Sequence, residues 1–281
     1  MYEYRRRLTR CVRFVTRVAW KLYGRDPNAL LWNIVERWPM RAVFGRMIPT
    51  HVPYILYEYP KCGLTWVRYM ICQAEACVYP DVPLEDAIRD VQYPRHDLPR
   101  IRCTHEYIFT GAARKRGFIF LVRQPERVMV SNYKHTRYRL KQHDMELHEF
   151  IRSDEFGVKH YVTFVENAVR EVRKRRHIIV KYEDLRASPV DQLERMLEFI
   201  ELPLPREHVE AIVANSTLEK MREVENEGRY RVEWLRPVKD EKARRVGSGG
   251  KETLEKLFSA EELAFMREAY ASSPVFAELG Y

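Results

Sequence analysis

The side chains best suited to do chemistry in this 281-residue chain gather in three short stretches. In the first, Tyr59-Pro60-Lys61-Cys62-Gly63-Leu64-Thr65-Trp66, a lysine and a glycine share a turn that precedes an apolar-periodic segment. Such a turn offers an anion free backbone N–H groups, the positive end of a helix dipole and a mobile ammonium. It is not a Walker A loop, because G-x-x-x-x-G-K-[ST] is absent. In the second, Arg123-Gln124-Pro125-Glu126 is followed by Ser131-Asn132-Tyr133. A guanidinium grips phosphate with two parallel hydrogen bonds, and a serine further along can face the same ligand. The plainer reading pairs Arg123 with Glu126. In the third, Cys103-Thr104-His105-Glu106 supplies a histidine that can take a proton near neutral pH. Each stretch alone is weak: a Lys-x-Gly turn is usually a plain connection, and a lone histidine is usually structural.

The elements around these stretches decide whether they meet. Val52 to Tyr59 is aromatic and β-branched and reads as a strand ending at Pro60. Thr65 to Ala76 has helical periodicity, stopped by Pro80. Ile101 to His105 is a second strand, and the continuous apolar run Phe118 to Val122 is typical of a buried parallel strand. Pro125 suits the first position of the next helix. Tyr161 to Arg175 is a further helix leading into a fourth strand, Ile178 to Tyr182. Ser188, Pro189 and Asp191 mark the start of a helix over 191–200. Ser259 and Glu262 form a capping box for a last helix ending near Tyr270. Alternating strands and helices predict an α/β fold of three layers, a central parallel sheet flanked by helices. Ligands in such folds sit beyond the carboxyl ends of the strands, where all three stretches fall.

Composition narrows the function classes. The chain carries 49 Lys and Arg against 40 Asp and Glu, a net charge of +9, which favours an anionic partner without choosing among nucleic acid, membrane and small ligand. Five cysteines, an odd number with no C-x-x-C pair, argue against a disulfide framework and for a reducing, cytoplasmic compartment. No apolar run reaches the roughly 18 residues a transmembrane helix needs. No Gly/Ser-rich linker divides the chain, so 1–281 reads as one domain, with 1–45 a helical, basic extension packed on it. Within that extension Val12, Val15, Val18, Ala19 and Leu22 recur at helical spacing among Arg5, Arg6, Arg7, Arg10, Arg13, Arg17 and Lys21. An ordinary surface helix is the first reading, and an interfacial helix giving peripheral contact with anionic lipid is the second.

Taken together, these stretches resemble the family of sulfotransferases that use 3′-phosphoadenosine-5′-phosphosulfate (PAPS). The family's Y-P-K-S-G-T-T-W loop matches YPKCGLTW over 59–66, and its R-x-P-x-[DE]-x-x-V-S-x-Y motif matches RQPERVMVSNY over 123–133. Its Y-E-D appears as Tyr182-Glu183-Asp184, and its R-K-G-x-x-G loop is echoed by Arg245-Val246-Gly247-Ser248-Gly249-Gly250. Four blocks in the family's order make a specific match. The resemblance implies a P-loop NTPase-like sulfotransferase fold and sulfonyl transfer to an acceptor hydroxyl or amine, with adenosine 3′,5′-bisphosphate (PAP) as product. By it, Lys61 binds the 5′-phosphosulfate, Cys62, Gly63, Leu64 and Thr65 surround the 5′-phosphate, and Trp66 stacks on adenine. Arg123 and Ser131 hold the 3′-phosphate, Arg245 and Gly247 close over it, and Tyr182 and Leu218 flank adenine. Lys61 and Ser131 also steady the transition state. His105 occupies the place of the family's K-[TS]-H histidine and is the general base, with Glu106 beside it as the fallback, since some carbohydrate members use a carboxylate. The resemblance calls for no metal.

The match has departures. Cys62 stands for a serine, Leu64 for a threonine, Cys103 for a lysine and Val246 for a basic residue. Arg102 and Arg244 are adjacent cations that could compensate. Cys62, beside Lys61 at a helix start, is either an inert stand-in for serine or an activated thiol. The family's dimer motif is not recognisable near Phe258, so oligomeric state stays open. The acceptor, a small molecule, lipid or glycan, depends on loops over 79–98, 135–156 and 228–239, whose Tyr, His, Arg and Trp content does not choose among them. The competing readings are a nucleotide-dependent kinase of related P-loop architecture and a non-catalytic basic protein that binds lipid or nucleic acid.

Overall fold

The computed structural model describes residues 53–89, 101–105, 116–230, 232–238, 240–246 and 252–281. The N-terminal extension, Glu106 and Gly247 lie outside the described residues. Four strands, β1 (Tyr54–Glu58), β2 (Ile101–Thr104), β3 (Gly117–Val122) and β4 (His177–Lys181), form one parallel sheet in the order β2-β1-β3-β4. All five residues of β1 and all six of β3 are buried, as the continuous apolar runs predict for strands covered on both faces. Alternation sends Tyr54 to one face, against Phe199, and Tyr57 to the other, against Phe164.

Helices cover both faces. On one, α1 (Leu64–Val78) packs with helices introduced later in the chain, α7 (Pro189–Phe199) and α8 (Arg206–Ala214). On the other, α5 (Val158–Val172) lies against β3 and packs with α3 (Pro125–Lys134) and α11 (Ala260–Ala271). Shorter helices complete the order: α2 (Leu84–Arg89), α4 (Leu147–Phe150), α6 (Tyr182–Ala187), α9 (Leu218–Glu227), α10 (Leu254–Leu257) and α12 (Pro274–Leu279). This is the expected three-layer architecture.

Several boundaries differ from the sequence reading for local reasons. The helix expected over 161–175 runs from Val158 to Val172. The cluster Arg173-Lys174-Arg175 forms a turn closed by the Arg175 N–H to the Val172 carbonyl at 3.0 Å, which feeds directly into β4. Tyr182 opens α6 rather than ending the strand. Ser188 does precede α7 with Pro189 in the first turn, but its hydroxyl makes no capping hydrogen bond. The capping box of Ser259 and Glu262 forms in both directions, at 3.2 and 2.7 Å. After α3 the backbone loosens into a π-helical turn, His135–Arg139, a feature that often accompanies functional sites.

The sheet order itself makes the crevice. From β1 the chain passes to β2 on one side, then returns to β3 on the other, so the loops leaving β1 and β3 diverge. That reversal of strand order is where α/β folds bind ligands. The turn after β1 depends on Gly63, whose φ of +119° is rarely open to other residues. A Cβ there would lie 2.8 Å from the Tyr182 ring. Gly63→Ala should therefore destabilise the protein by about 1–3 kcal/mol, read from the urea midpoint. An unchanged midpoint would mean that Tyr182 does not close over this turn.

Candidate functional site

A cavity of ≈ 580 Å³ opens at the carboxyl ends of β1 and β3. Lys61, Gly63, Leu64, Thr65 and Trp66 from the first loop line it, with Arg123 and Ser131 from the second. His105, Tyr182, Leu218, Arg244 and Arg245 line it too; of the other residues that the sequence singled out, Cys62 does not and Gly247 lies outside the described residues. The structure brings these lining residues together from positions spread over more than 180 residues. Its size suits a nucleotide-sized ligand.

The two loops are locked to each other. Lys61 takes a positive φ of 83°, uncommon outside glycine, which turns its carbonyl to accept from Arg123 Nη1 at 3.1 Å. Lys61 Nζ rests 3.4 Å from the Arg245 carbonyl. Arg123 lies over the Tyr182 ring at 4.2 Å, and its buried Nε has no partner. The Arg123–Glu126 pairing of the plainer reading is not what forms: Glu126 is buried and accepts from Tyr270 Oη at 2.9 Å. The N-terminus of α1 is pinned from behind by Glu58, whose Oε2 accepts the Leu64 N–H at 2.8 Å. Glu183 pins the second loop, its Oε1 accepting the Gln124 N–H at 3.0 Å and its Oε2 the Tyr281 hydroxyl at 2.6 Å. Trp66 is held by its Nε1, which donates to the Ser216 carbonyl at 2.7 Å, and meets Tyr182 edge-on.

Burial and crowded cations set the titration of the site. Burial, then the neighbouring Arg245, pushes Lys61 down to about 7, so that its charge depends on what binds. Burial raises the Glu58 carboxyl to about 8, against opposing hydrogen bonds and cations. His105 keeps 40% of its side chain exposed, yet the protein on its other faces, chiefly by desolvation, holds it down to about 4. Its Nδ1 lies 3.4 Å from the Glu58 backbone carbonyl and 3.6 Å from Glu58 Oε1. A carbonyl can only accept, so this contact places the proton on Nδ1 and leaves the Nε2 lone pair free.

Cys62 goes the other way. Its side chain is buried, with Sγ 3.8 Å from Tyr161 Oη, and burial raises the thiol well above its usual value. It does not line the cavity. Of the two readings of this residue, the inert stand-in is the one consistent with this geometry. Val246 packs against the apolar cluster of Tyr69, Met221 and Val224, which accounts for an apolar residue in a loop where the motif has a cation. Arg244 lines the cavity and Arg102 does not, so only one of the two adjacent cations stands where it could compensate.

Several lining residues escaped the sequence reading. Glu58 was hidden as one charge in an aromatic strand, although a carboxyl inside a buried run is itself a signal. His135, buried with an unpartnered Nδ1 and held down to about 2 by desolvation and nearby cations, carried no motif. Arg127, Lys134, Arg186, Arg222 and Lys242 add positive charge to the lining and come from helix faces that read as ordinary surface. Among the described residues no group of three or more His, Cys, Asp and Glu could hold a metal ion, and no helix is long and apolar enough to cross a membrane.

Residues 99–273 match the family model described as a sulfotransferase domain, more than half of the chain. The chain is 27% identical over 188 residues to sulfotransferase 2B1 of Homo sapiens and 25% identical over 188 residues to that of Rattus norvegicus. These alignments cover 59% of this chain, and 51% and 55% of the relatives, so the chain spans about half the length of the curated relatives it matches. Its fold is similar to a retinol dehydratase in complex with androsterone and inactive cofactor PAP. That match has a TM-score of 0.61 at 15% identity, over 79% of this chain and 80% of the other. It is also similar to a mouse sulfotransferase, SULT7A1, complexed with PAP, with a TM-score of 0.55 at 15% identity, over 80% and 86% of the two chains.

The titration of Lys61 generates a prediction. In the free protein it is charged only below about 7. An anion at the loop raises that value, so binding above it must take up a proton and affinity must fall as pH rises. At pH 8.5, calorimetry of PAP in buffers of different ionisation enthalpy should show uptake of about one proton. Lys61→Ala should remove most of that uptake. Equal uptake in both proteins would place the titrating group elsewhere.

Proposed function

The chain belongs to the sulfotransferase family, and from that premise we propose that it moves a sulfonyl group from PAPS to the hydroxyl or amine of a small-molecule, lipid or glycan acceptor. The observation that carries this reading is the convergence of Lys61, Arg123 and Arg245 on one cavity with a neutral His105 at its edge. Arg123 Nε, buried without a partner beside that cavity, is the mark of a site that fits an anion.

When bound, PAPS supplies the sulfonyl group and a phosphate that leaves with the bonding electron pair. The chain's own residues do the rest. His105 accepts the acceptor's proton at Nε2, and its depressed titration keeps it neutral and competent at physiological pH. Lys61 and the amides of Cys62, Gly63 and Thr65 hold the charge that builds on the leaving oxygen, with Ser131 assisting, while the Leu64 amide is already received by Glu58. Arg123, Ser131, Arg245 and Gly247 hold the 3′-phosphate, with Arg244 beside them, while Trp66, Tyr182 and Leu218 flank adenine. Two structural neighbours hold androsterone or retinol, and a small acceptor alcohol is the class proposed for this chain. The described residues cluster as one compact unit, which supports a single catalytic domain; that 1–45 is its basic extension and a point of peripheral membrane contact is proposed from its sequence alone. A reducing, cytoplasmic setting is proposed from the odd number of cysteines without a C-x-x-C pair.

Two measurements test the reading. PAP should raise the melting temperature, and ATP with magnesium should not; the reverse would favour a kinase, and no response to either a non-catalytic role. His105→Ala should lower kcat by roughly 10²–10⁴-fold and leave PAP affinity nearly unchanged. Near-full activity in His105→Ala together with its loss in Glu106→Gln would move the base to Glu106.

Lys61→Ala and Arg123→Ala should fail differently. Lys61 acts where charge develops, so its loss should fall mainly on kcat. Arg123 grips a phosphate remote from sulfur, so its loss should raise the KM for PAPS. Equal effects on both parameters in both variants would overturn this division of roles.

A further inference from the structure

Glu225, on α9, is fully buried and matches no part of the motifs. Its carboxylate is nonetheless at the centre of the wall that carries Arg244 and Arg245. Oε1 accepts the Arg245 N–H at 2.9 Å, and Oε2 accepts the Val246 N–H at 3.1 Å. Oε1 also accepts from Arg139 Nη1 at 3.3 Å, a pair whose side chains are 1% and 2% exposed. Arg139 ends the π-helical turn and donates in addition to the carbonyls of Ala243 and Arg236, at 3.4 and 3.3 Å. One buried ion pair therefore ties α9, the π-helical turn and the short helical turn Glu241–Ala243 to the arginine-bearing segment.

Two consecutive peptide N–H groups received by one carboxylate leave that backbone little freedom. The direction in which Arg245 leaves the chain is then set before any ligand arrives. Its carbonyl is also fixed, and that carbonyl holds Lys61 Nζ in the free protein. On the far side Val246 is packed into the cluster containing Met221 and Val224 of the same helix, so the segment is gripped by polar and apolar contacts at once. Preorganisation of this kind strengthens binding by removing the entropy of ordering a loop around its ligand.

We propose that Glu225 is a positioning residue that presets Arg245 for the 3′-phosphate and so gives the site its preference for a nucleotide phosphorylated at both 3′ and 5′ over one phosphorylated at 5′ alone. The proposal rests on the reading above that Arg245 meets the 3′-phosphate. It does not make Glu225 a ligand contact: both its oxygens are engaged by the protein.

The test compares the affinities of PAP and adenosine 5′-monophosphate by calorimetry in the whole protein and in Glu225→Gln. Glutamine offers one carbonyl oxygen and cannot hold both N–H groups and Arg139. PAP should weaken by about tenfold or more, because hydrogen bonds to a buried charge are lost, while adenosine 5′-monophosphate should change by less than about twofold. Should Glu225→Gln fail to fold with the charge of Arg139 no longer balanced by a carboxylate, the double variant Arg139→Met, Glu225→Met removes that charge and should show the same collapse of preference. A preference that survives in the folded variant, or equal weakening of both nucleotides, overturns the proposal. A whole protein that binds PAP no better than adenosine 5′-monophosphate overturns the donor reading itself and this inference with it.

Discussion

Positive charge buried at the diverging ends of β1 and β3 is the constraint to which the surrounding structure answers. Lys61 and Arg123 must stay accessible to an anion, and a buried cation paired to a carboxylate would have to break that pair on binding. Among the described residues neither makes an ion pair. Each leans on a backbone carbonyl instead, Lys61 on that of Arg245 and Arg123 on that of Lys61. Carbonyls are partial charges, strong enough to hold a cation in place and weak enough to yield it. The depressed titration of Lys61 is the cost of leaving the anion's place to the ligand.

The carboxylates nearby are spent on the backbone. Glu58 holds the first amide of α1, Glu183 the amide of Gln124, and Glu225 the amides of Arg245 and Val246. Three acidic residues on three different elements thus each fix a loop that faces the cavity. Each of the three uses its carboxyl to stiffen a wall, although Glu58 also lines the cavity itself.

Departures from the family motif follow from packing. Cys62 turns inward toward Tyr161, where a small apolar thiol is accommodated and a thiolate is disfavoured. Its backbone amide still belongs to the anion loop, and that amide is indifferent to the side chain. Val246 fills an apolar cluster from a segment whose charged work is left to Arg244 and Arg245. In both places the backbone carries the binding geometry and the side chain answers to the core.

Much of this was legible in the residues alone. Continuous apolar runs such as Phe118 to Val122 signal a parallel sheet because only strands covered on both faces bury every side chain. The order of Tyr59–Trp66, Arg123–Tyr133 and Tyr182–Asp184 along the chain foretold a ligand site at the strand ends, since local sequence is enough to place a turn after a strand. Tertiary structure alone decided the rest. Helix ends such as Val172 and the start of α6 at Tyr182 depend on where the following strand docks, which propensity does not encode. Glu58, His135 and Glu225 acquire their roles from what surrounds them once folded: Leu64 and His105, the cluster of cations, and Arg139 with Arg245. Burial makes each of them matter, because an acid or imidazole on the surface would titrate normally and hold nothing. Burial of helix residues such as His135 and Glu225 is a property of the packed layers, and no spacing in the sequence announces it there.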